Sequence, residues 1–255
     1  RCSNRLSYGP KKTTRGFLIG LQYYIFVPEI STANTVFMQK IIFKPYRHLN
    51  IKNIIFDLGG VIINIDYHLT IEAFKKLGFN NFDTVFTQAS QLGIFDQLDK
   101  GLVSHEEFRN YIRELSGIPL NNNQIDEAWN AMLLDFPVER LSLLEKIRDQ
   151  YRTFLLSNTN QMHCEVYTKD LQATYGVKDL SHFFEKAYLS HEIGMRKPDR
   201  EAFMLILNEN NLKPEETLFI DDTEQHIEGA KKVGINTYYL RLKEGEAIEK
   251  LFVTE

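Results

Sequence analysis

The sequence predicts an α/β fold, a doubly wound parallel-sheet core carrying a small helical domain. Three observations lead there. Short apolar runs alternate with amphipathic stretches over residues 51–66 and 136–255, the pattern of βαβ units. Between them, residues 67–135 read as several helices with no strand. At 255 residues, 43% hydrophobic and 25% charged, the chain can bury a core without staples, and its two cysteines exclude a disulfide framework.

The elements follow in order. Residues 51–56 are mostly apolar and end in Asp57, then Gly59-Gly60, a buried strand opening into a tight turn. Ser104-His105-Glu106-Glu107 has capping-box spacing, and Phe108, Ile112 and Leu115 share one helical face. Pro137 precedes a helix with Leu141, Leu144 and Ile147 in register. A strand over 152–156 leads into Ser157-Asn158-Thr159-Asn160, and a helix runs on to about Tyr175. Residues 186–189 form a short strand. Pro198 is expected in the first turn of a helix buried through Phe203, Ile206 and Leu207. A strand over 217–220 ends at Asp221-Asp222, and a helix to Val233 precedes the last strand, 236–240.

Charge sets the first fifty residues apart. Residues 1–50 hold eight Lys/Arg and one acid, Glu29, leaving 22 basic and 33 acidic residues in the remainder. Basic residues, an apolar run at 16–27 and then Ser31-Thr32-Ala33 have the order of a signal peptide. The plainer expectation is an upstream extension not native to the protein, with a natural beginning at Met38 or just before Ile51. On that reading the protein is cytoplasmic, and it is exported only if the segment is a genuine signal. The net charge of −4 gives no reason to expect nucleic-acid binding, and no run approaches the roughly 20 apolar residues of a membrane span.

Ligands of open α/β sheets bind beyond the carboxyl ends of the strands. Three predicted strands end there in Asp57, Ser157 and Asp221-Asp222, and Lys197 precedes the next helix. An aspartate after a strand is usually a turn or cap residue; the signal lies in the conjunction and its order. Carboxylates converging on one sheet edge repel, and a Mg²⁺ ion with a lysine compensates them. Such a site suits a dianionic phosphoryl group, with an aspartate as nucleophile.

These residues resemble the haloacid dehalogenase superfamily, specifically its phosphatases. The resemblance rests on Ile54-Ile55-Phe56-Asp57-Leu58-Gly59-Gly60-Val61, Leu155-Leu156-Ser157-Asn158-Thr159-Asn160, Gly194-Met195-Arg196-Lys197-Pro198-Asp199 and Phe219-Ile220-Asp221-Asp222. The wording is closest to the small bacterial sugar-phosphate phosphatases of the α-D-glucose-1-phosphate type, and residues 67–135 stand where that group places its cap. The resemblance implies a Mg²⁺-dependent phosphatase of a small phosphorylated metabolite. It makes Asp57 the nucleophile and a metal ligand, with Gly59 offering its carbonyl to the metal. Ser157, Asn158, Gly59 and Gly60 would meet the phosphoryl group, and Lys197 would bridge it to the nucleophile. Asp222 would bind the metal directly, with Asp221 as a further or water-mediated ligand.

Two departures stand out. Most phosphatases of the superfamily carry an aspartate two residues after the nucleophile as general acid; here that residue is Gly59. The sequence therefore predicts a preference for good leaving groups, or else a phospho-ligand-binding or regulatory protein with weak turnover. His226 replaces a common asparagine and reads as a helix-start residue that could carry a proton. His163 is a second candidate beside the site, whereas Asp66 reads as ending the first turn.

Overall fold

The computed structural model describes residues 40–86 and 93–254. The chain divides into Arg1–Met38 and Gln39–Glu255, and every described residue belongs to the second unit. The signal-like run lies outside the described residues.

Five parallel strands form the core: β2 (Asn53–Phe56), β3 (Arg152–Ser157), β4 (Lys186–Leu189), β5 (Thr217–Asp221) and β6 (Asn236–Tyr239), in spatial order β4-β3-β2-β5-β6. The chain thus begins in the middle, winds outward through β3 and β4, then crosses to β5 and β6. That reversal creates a crevice at the carboxyl ends of the central strands. Phe56 pairs in register with Leu155 and with Ile220, so the next residues along β2 and β5, Asp57 and Asp221, come level.

Alternation along the strands separates two hydrophobic layers. Ile54 and Phe56 join a cluster with Leu141, Leu144 and Ile147 of α6 (Val138–Arg148) and Tyr167 and Leu171 of α7 (Gln161–Tyr175). Ile55 faces the other way, with Phe203, Ile206 and Leu207 of α9 (Arg200–Glu209) and Ile227 and Ala230 of α10 (Glu224–Lys231). Pro198 precedes α9 and does not enter its first turn; Asp199 is the N-cap.

Among the described residues, five helices fill the stretch between β2 and α6: α1 (Tyr67–Lys76), α2 (Phe82–Val85), α3 (Ile94–Asp99), α4 (His105–Ser116) and α5 (Asn122–Asn130). The capping box at Ser104 forms as the spacing predicts. These helices close over their own aromatic core, in which Phe74 stacks on Phe82 at 4.1 Å and Phe95 on Trp129 at 5.6 Å. Entry and exit of this insert run side by side: the Asp66 N–H donates to the Met132 carbonyl and the Leu134 N–H to the Asn64 carbonyl. The insert also rests on the core. Trp129 stacks on His163 at 5.0 Å, and Gly101 (φ +67°) lies so close to the His191 carbonyl, in short helix α8 (Ser190–Ile193), that a Cβ there would collide with it.

One boundary moves. Residues 41–43, inside the stretch 1–50 set apart by charge, form β1 (Ile41–Phe43), paired antiparallel with β7 (Phe252–Thr254). Ile41 and Phe43 are buried in the same cluster as Phe56, and the Tyr151 hydroxyl donates to the Ile41 carbonyl. Apolar burial, which outweighs the local charge bias, makes this segment part of the core. A chain beginning at Ile51 is therefore expected to melt well below one beginning at residue 40, since each lost side chain contributes about 1.5–3 kcal/mol. Circular dichroism melts of the two truncations check this; coincident melts would mean that the β1–β7 ribbon adds nothing.

Candidate active site

The loop ends that sequence order brings together meet in the crevice. Lys197 is fully buried, and its Nζ donates to Asp57 Oδ1 at 2.5 Å and to Asp221 Oδ2 at 2.7 Å. Asn158 holds the lysine's backbone from both sides: its Nδ2 donates to the Lys197 carbonyl, and its Oδ1 accepts from the Lys197 N–H, each at 2.9 Å. The Asn158 side chain thus positions the lysine and is not left free for a ligand. Ser157 ends β3 with a buried side chain, and no described residue hydrogen-bonds its hydroxyl.

Asp57, Asp221 and Asp222 offer carboxylate oxygens that all lie within 4.8 Å of one another. Burial pushes the Asp57 carboxyl up, opposed by Lys197 and reinforced by Asp221. Asp221 is also buried, but Lys197 and then His226 outweigh that cost and hold it below the usual carboxylate range. Asp222 is pushed up to about 7, by burial first and then by Asp57 and Asp221. Lys197 is held above its ordinary value because the two aspartates overcome its burial. The cluster thus carries more negative charge than one lysine balances. All its donors are oxygens, the set a hard divalent cation takes.

The two glycines differ. Gly60 (φ +74°) lets the backbone turn against Asp222, whose Oδ2 lies 2.5 Å from where a Cβ would stand. Its N–H donates to the Ile63 carbonyl, so the expected substrate contact at Gly60 gives way to a packing role. No described residue hydrogen-bonds the Gly59 backbone, which leaves its carbonyl available. The space beside its Cα is filled: a Cβ at Gly59 would stand 2.9 Å from Ile65 Cδ1.

The two histidine candidates part company: one is at the site and the other is not. His226 Nδ1 lies 3.0 Å from both Asp221 carboxylate oxygens, at the site. His163 turns to the insert, where Asn130 Oδ1 contacts its Nδ1 at 2.9 Å and burial lowers it to about 3. Its backbone N–H is capped by Asn160, and Asp66 likewise caps α1 by accepting from the His68 N–H.

Periodicity gives no sign of two further groups. Asp99, at the end of α3, accepts from Asn160 Nδ2 at 3.2 Å and lies 3.8 Å from Arg196, which also meets Asp96 at 3.1 Å. Burial raises its carboxyl despite Arg196. Tyr67, the first residue of α1, has a hydroxyl desolvated by burial and set in the field of Asp222, Asp57, Asp99 and Asp221, which together raise it far above its ordinary range.

The comparisons establish the family. The haloacid dehalogenase-like hydrolase family model matches residues 51–234. A D-ribitol-5-phosphate phosphatase of Bacteroides thetaiotaomicron is 35% identical, over 74% of this chain and 91% of its own length. A crystal structure of a haloacid dehalogenase family enzyme from the same organism, an aspartate-to-alanine variant in complex with magnesium and inorganic phosphate, superposes with a TM-score of 0.71. It is 42% identical and spans 75% of this chain and 94% of that one. A related hydrolase from Porphyromonas gingivalis gives a TM-score of 0.68 at 33% identity, covering 74% and 91% of the two chains. With motifs, strand order and family model in agreement, the chain belongs to the haloacid dehalogenase-like hydrolases.

Proposed function

We propose that the protein is a Mg²⁺-dependent phosphatase of a small polyhydroxylated phosphomonoester, a sugar or sugar-alcohol phosphate. The observation that carries this reading is the buried Lys197 bridging Asp57 and Asp221 beside the undercompensated Asp222. Asp57 lies at the carboxyl end of the central strand with one oxygen held by the lysine. Its carboxylate is the nucleophile: the Oδ–P bond forms as the bond from phosphorus to the leaving oxygen breaks, and the electron pair goes to that oxygen. Water then hydrolyses the acyl phosphate. Lys197 and the free Ser157 hydroxyl bind and orient the phosphoryl oxygens.

Asp57, Asp222 and the Gly59 carbonyl would hold Mg²⁺, with Asp221 contributing directly or through water. The ion supplies charge compensation for the phosphoryl oxygens. The name of the Bacteroides relative and the magnesium and phosphate in its structural neighbour support the substrate class and the ion. The substrate enters between the crevice and the insert, which would act as the cap over residues 67–135.

Asp57→Asn is expected to fold and to lose essentially all turnover, because an amide does not form the acyl phosphate. Phosphate release from ribitol 5-phosphate measures this, and retention of more than a few per cent of activity would reject the nucleophile. The ion has its own signature in stability. A carboxyl raised on folding keeps a proton that the unfolded chain gives up, so Asp222 makes stability fall as pH rises from the usual carboxylate range towards about 7. Mg²⁺ takes the deprotonated form, and its stabilisation grows through the same interval. The rise in Tm on adding Mg²⁺ should therefore be larger at about pH 8 than at about pH 5. Equal shifts at both would remove Asp222 from the ligand set.

A further inference from the structure

Asp221 and Asp222 are neighbours in sequence, yet the fold treats their carboxylates differently. Among the described residues, only the Thr223 hydroxyl donates to Asp222, at 3.3 Å. Asp221 is saturated. Its Oδ1 accepts from the Thr223 N–H at 2.7 Å, its Oδ2 accepts from Lys197 Nζ at 2.7 Å, and His226 Nδ1 lies 3.0 Å from each oxygen. These contacts use up the lone-pair directions of a carboxylate. Asp221 is fully buried, so its donors alone decide which way it faces.

The fold places His226 for this contact. β5 ends at Asp221 and α10 begins at Glu224, so residue 226 falls in the first turn of the helix, beside the strand end. Ile227, one residue on, is buried with Ile55 and Phe219 and fixes the rotation of α10 on the sheet. The imidazole that results is only 15% exposed.

The network also assigns the ring hydrogen. Asn158 Oδ1 accepts from the Lys197 N–H, which fixes the orientation of the amide, and its Nδ2 donates one hydrogen to the Lys197 carbonyl. The same Nδ2 lies 3.5 Å from His226 Nε2. Nε2 therefore faces a donor and Nδ1 faces a carboxylate, which puts the hydrogen on Nδ1. The contacts close a ring that runs from Asp221 through His226, Asn158 and Lys197 back to Asp221.

We infer that His226 is a positioning residue: its Nδ1–H holds both oxygens of Asp221 and so reserves that carboxylate for Lys197, leaving Asp57 and Asp222 to take the divalent cation. The inference rests on the phosphatase reading above and deepens it, because it divides the three carboxylates between the lysine and the ion. Without the Nδ1 donor, Asp221 is free to turn an oxygen toward those of Asp57 and Asp222, all within 4.8 Å. The ion would then gain a carboxylate, and Lys197 would lose the partner that aims its Nζ at Asp57. Metal binding survives such a change and turnover does not. An asparagine at 226 still offers an N–H from the same branch of the side chain, whereas a phenylalanine offers the ring without it.

The test compares native protein with His226→Phe and His226→Asn, measuring Mg²⁺ affinity by calorimetry and kcat on ribitol 5-phosphate at saturating Mg²⁺. His226→Phe should lose roughly tenfold or more in kcat, the worth of one hydrogen bond to a charged group, while its Kd for Mg²⁺ stays within about threefold of native or tightens. His226→Asn, which keeps the donor and gives up the ring, should recover most of the lost turnover. A role in packing alone predicts the opposite ranking of the two variants. Native kcat in His226→Phe, a Kd for Mg²⁺ weakened about tenfold alongside the loss of turnover, or no recovery in His226→Asn would overturn the role of His226 and leave the phosphatase reading intact. If His226→Phe does not fold, the native protein decides. Nitrogen NMR of the imidazole should show the Nδ1–H form, and adding Mg²⁺ should not change it; an Nε2–H form, or a change of form with Mg²⁺, also overturns the inference. Native protein that neither binds Mg²⁺ nor releases phosphate overturns the phosphatase reading, and this inference with it.

Discussion

A fully buried ammonium group held between two buried carboxylates governs the architecture of this protein. Removing one member of such a set leaves an uncompensated charge, so its partners need near-ideal geometry. The register of β2 with β5 sets Asp57 and Asp221 at one height. Asn158 fixes the lysine's backbone from the neighbouring strand end, the Thr223 N–H donates to Asp221 Oδ1, and His226 Nδ1 lies against both Asp221 oxygens. Three crossovers that share no local sequence are thus tied by one charge cluster. The same cluster leaves Asp222 without an adequate cation, so any cation that it took up would be linked to the stability of the fold.

The second tie runs between core and insert. Asp96 and Asp99 of α3 meet Arg196, which immediately precedes the buried lysine, and Asn160 joins Asp99 while capping α7. Trp129 stacking on His163 adds an apolar contact beside this polar one. Displacing the insert would expose the Asp99 carboxylate and part it from Arg196, so the polar pairs favour the seated arrangement. Because these pairs are partly accessible, each contributes modestly; their alignment on one loop matters more than their sum.

The sequence made the parts of this molecule with local causes readable. Asp57, Ser157 and Asp221-Asp222 follow apolar runs, and the end of a run marks the end of a strand. The capping box at Ser104 and the faces of α6 and α9 are set within a few residues. The unreadable parts depend on distant partners. β1 and β7 are three residues each, and neither carries an alternation that names the other. His163 and His226 look equivalent as early helical residues; only the packing of α7 against the insert and of α10 against β5 sends one ring away and the other to Asp221.

The β1–β7 ribbon also bears on how the chain acquires its structure during synthesis. Ile41 pairs with Thr254, so the first strand of the described chain has no partner until the last one is made. At about 5–20 residues per second, the intervening chain takes roughly 10–40 s to emerge. Ile41 and Phe43 lack their strand partner for that interval, whereas β2, β3, β4 and β5 are all complete before β7 is made. The strands of the crevice can therefore pair before the hydrophobic seam of β1 and β7 closes.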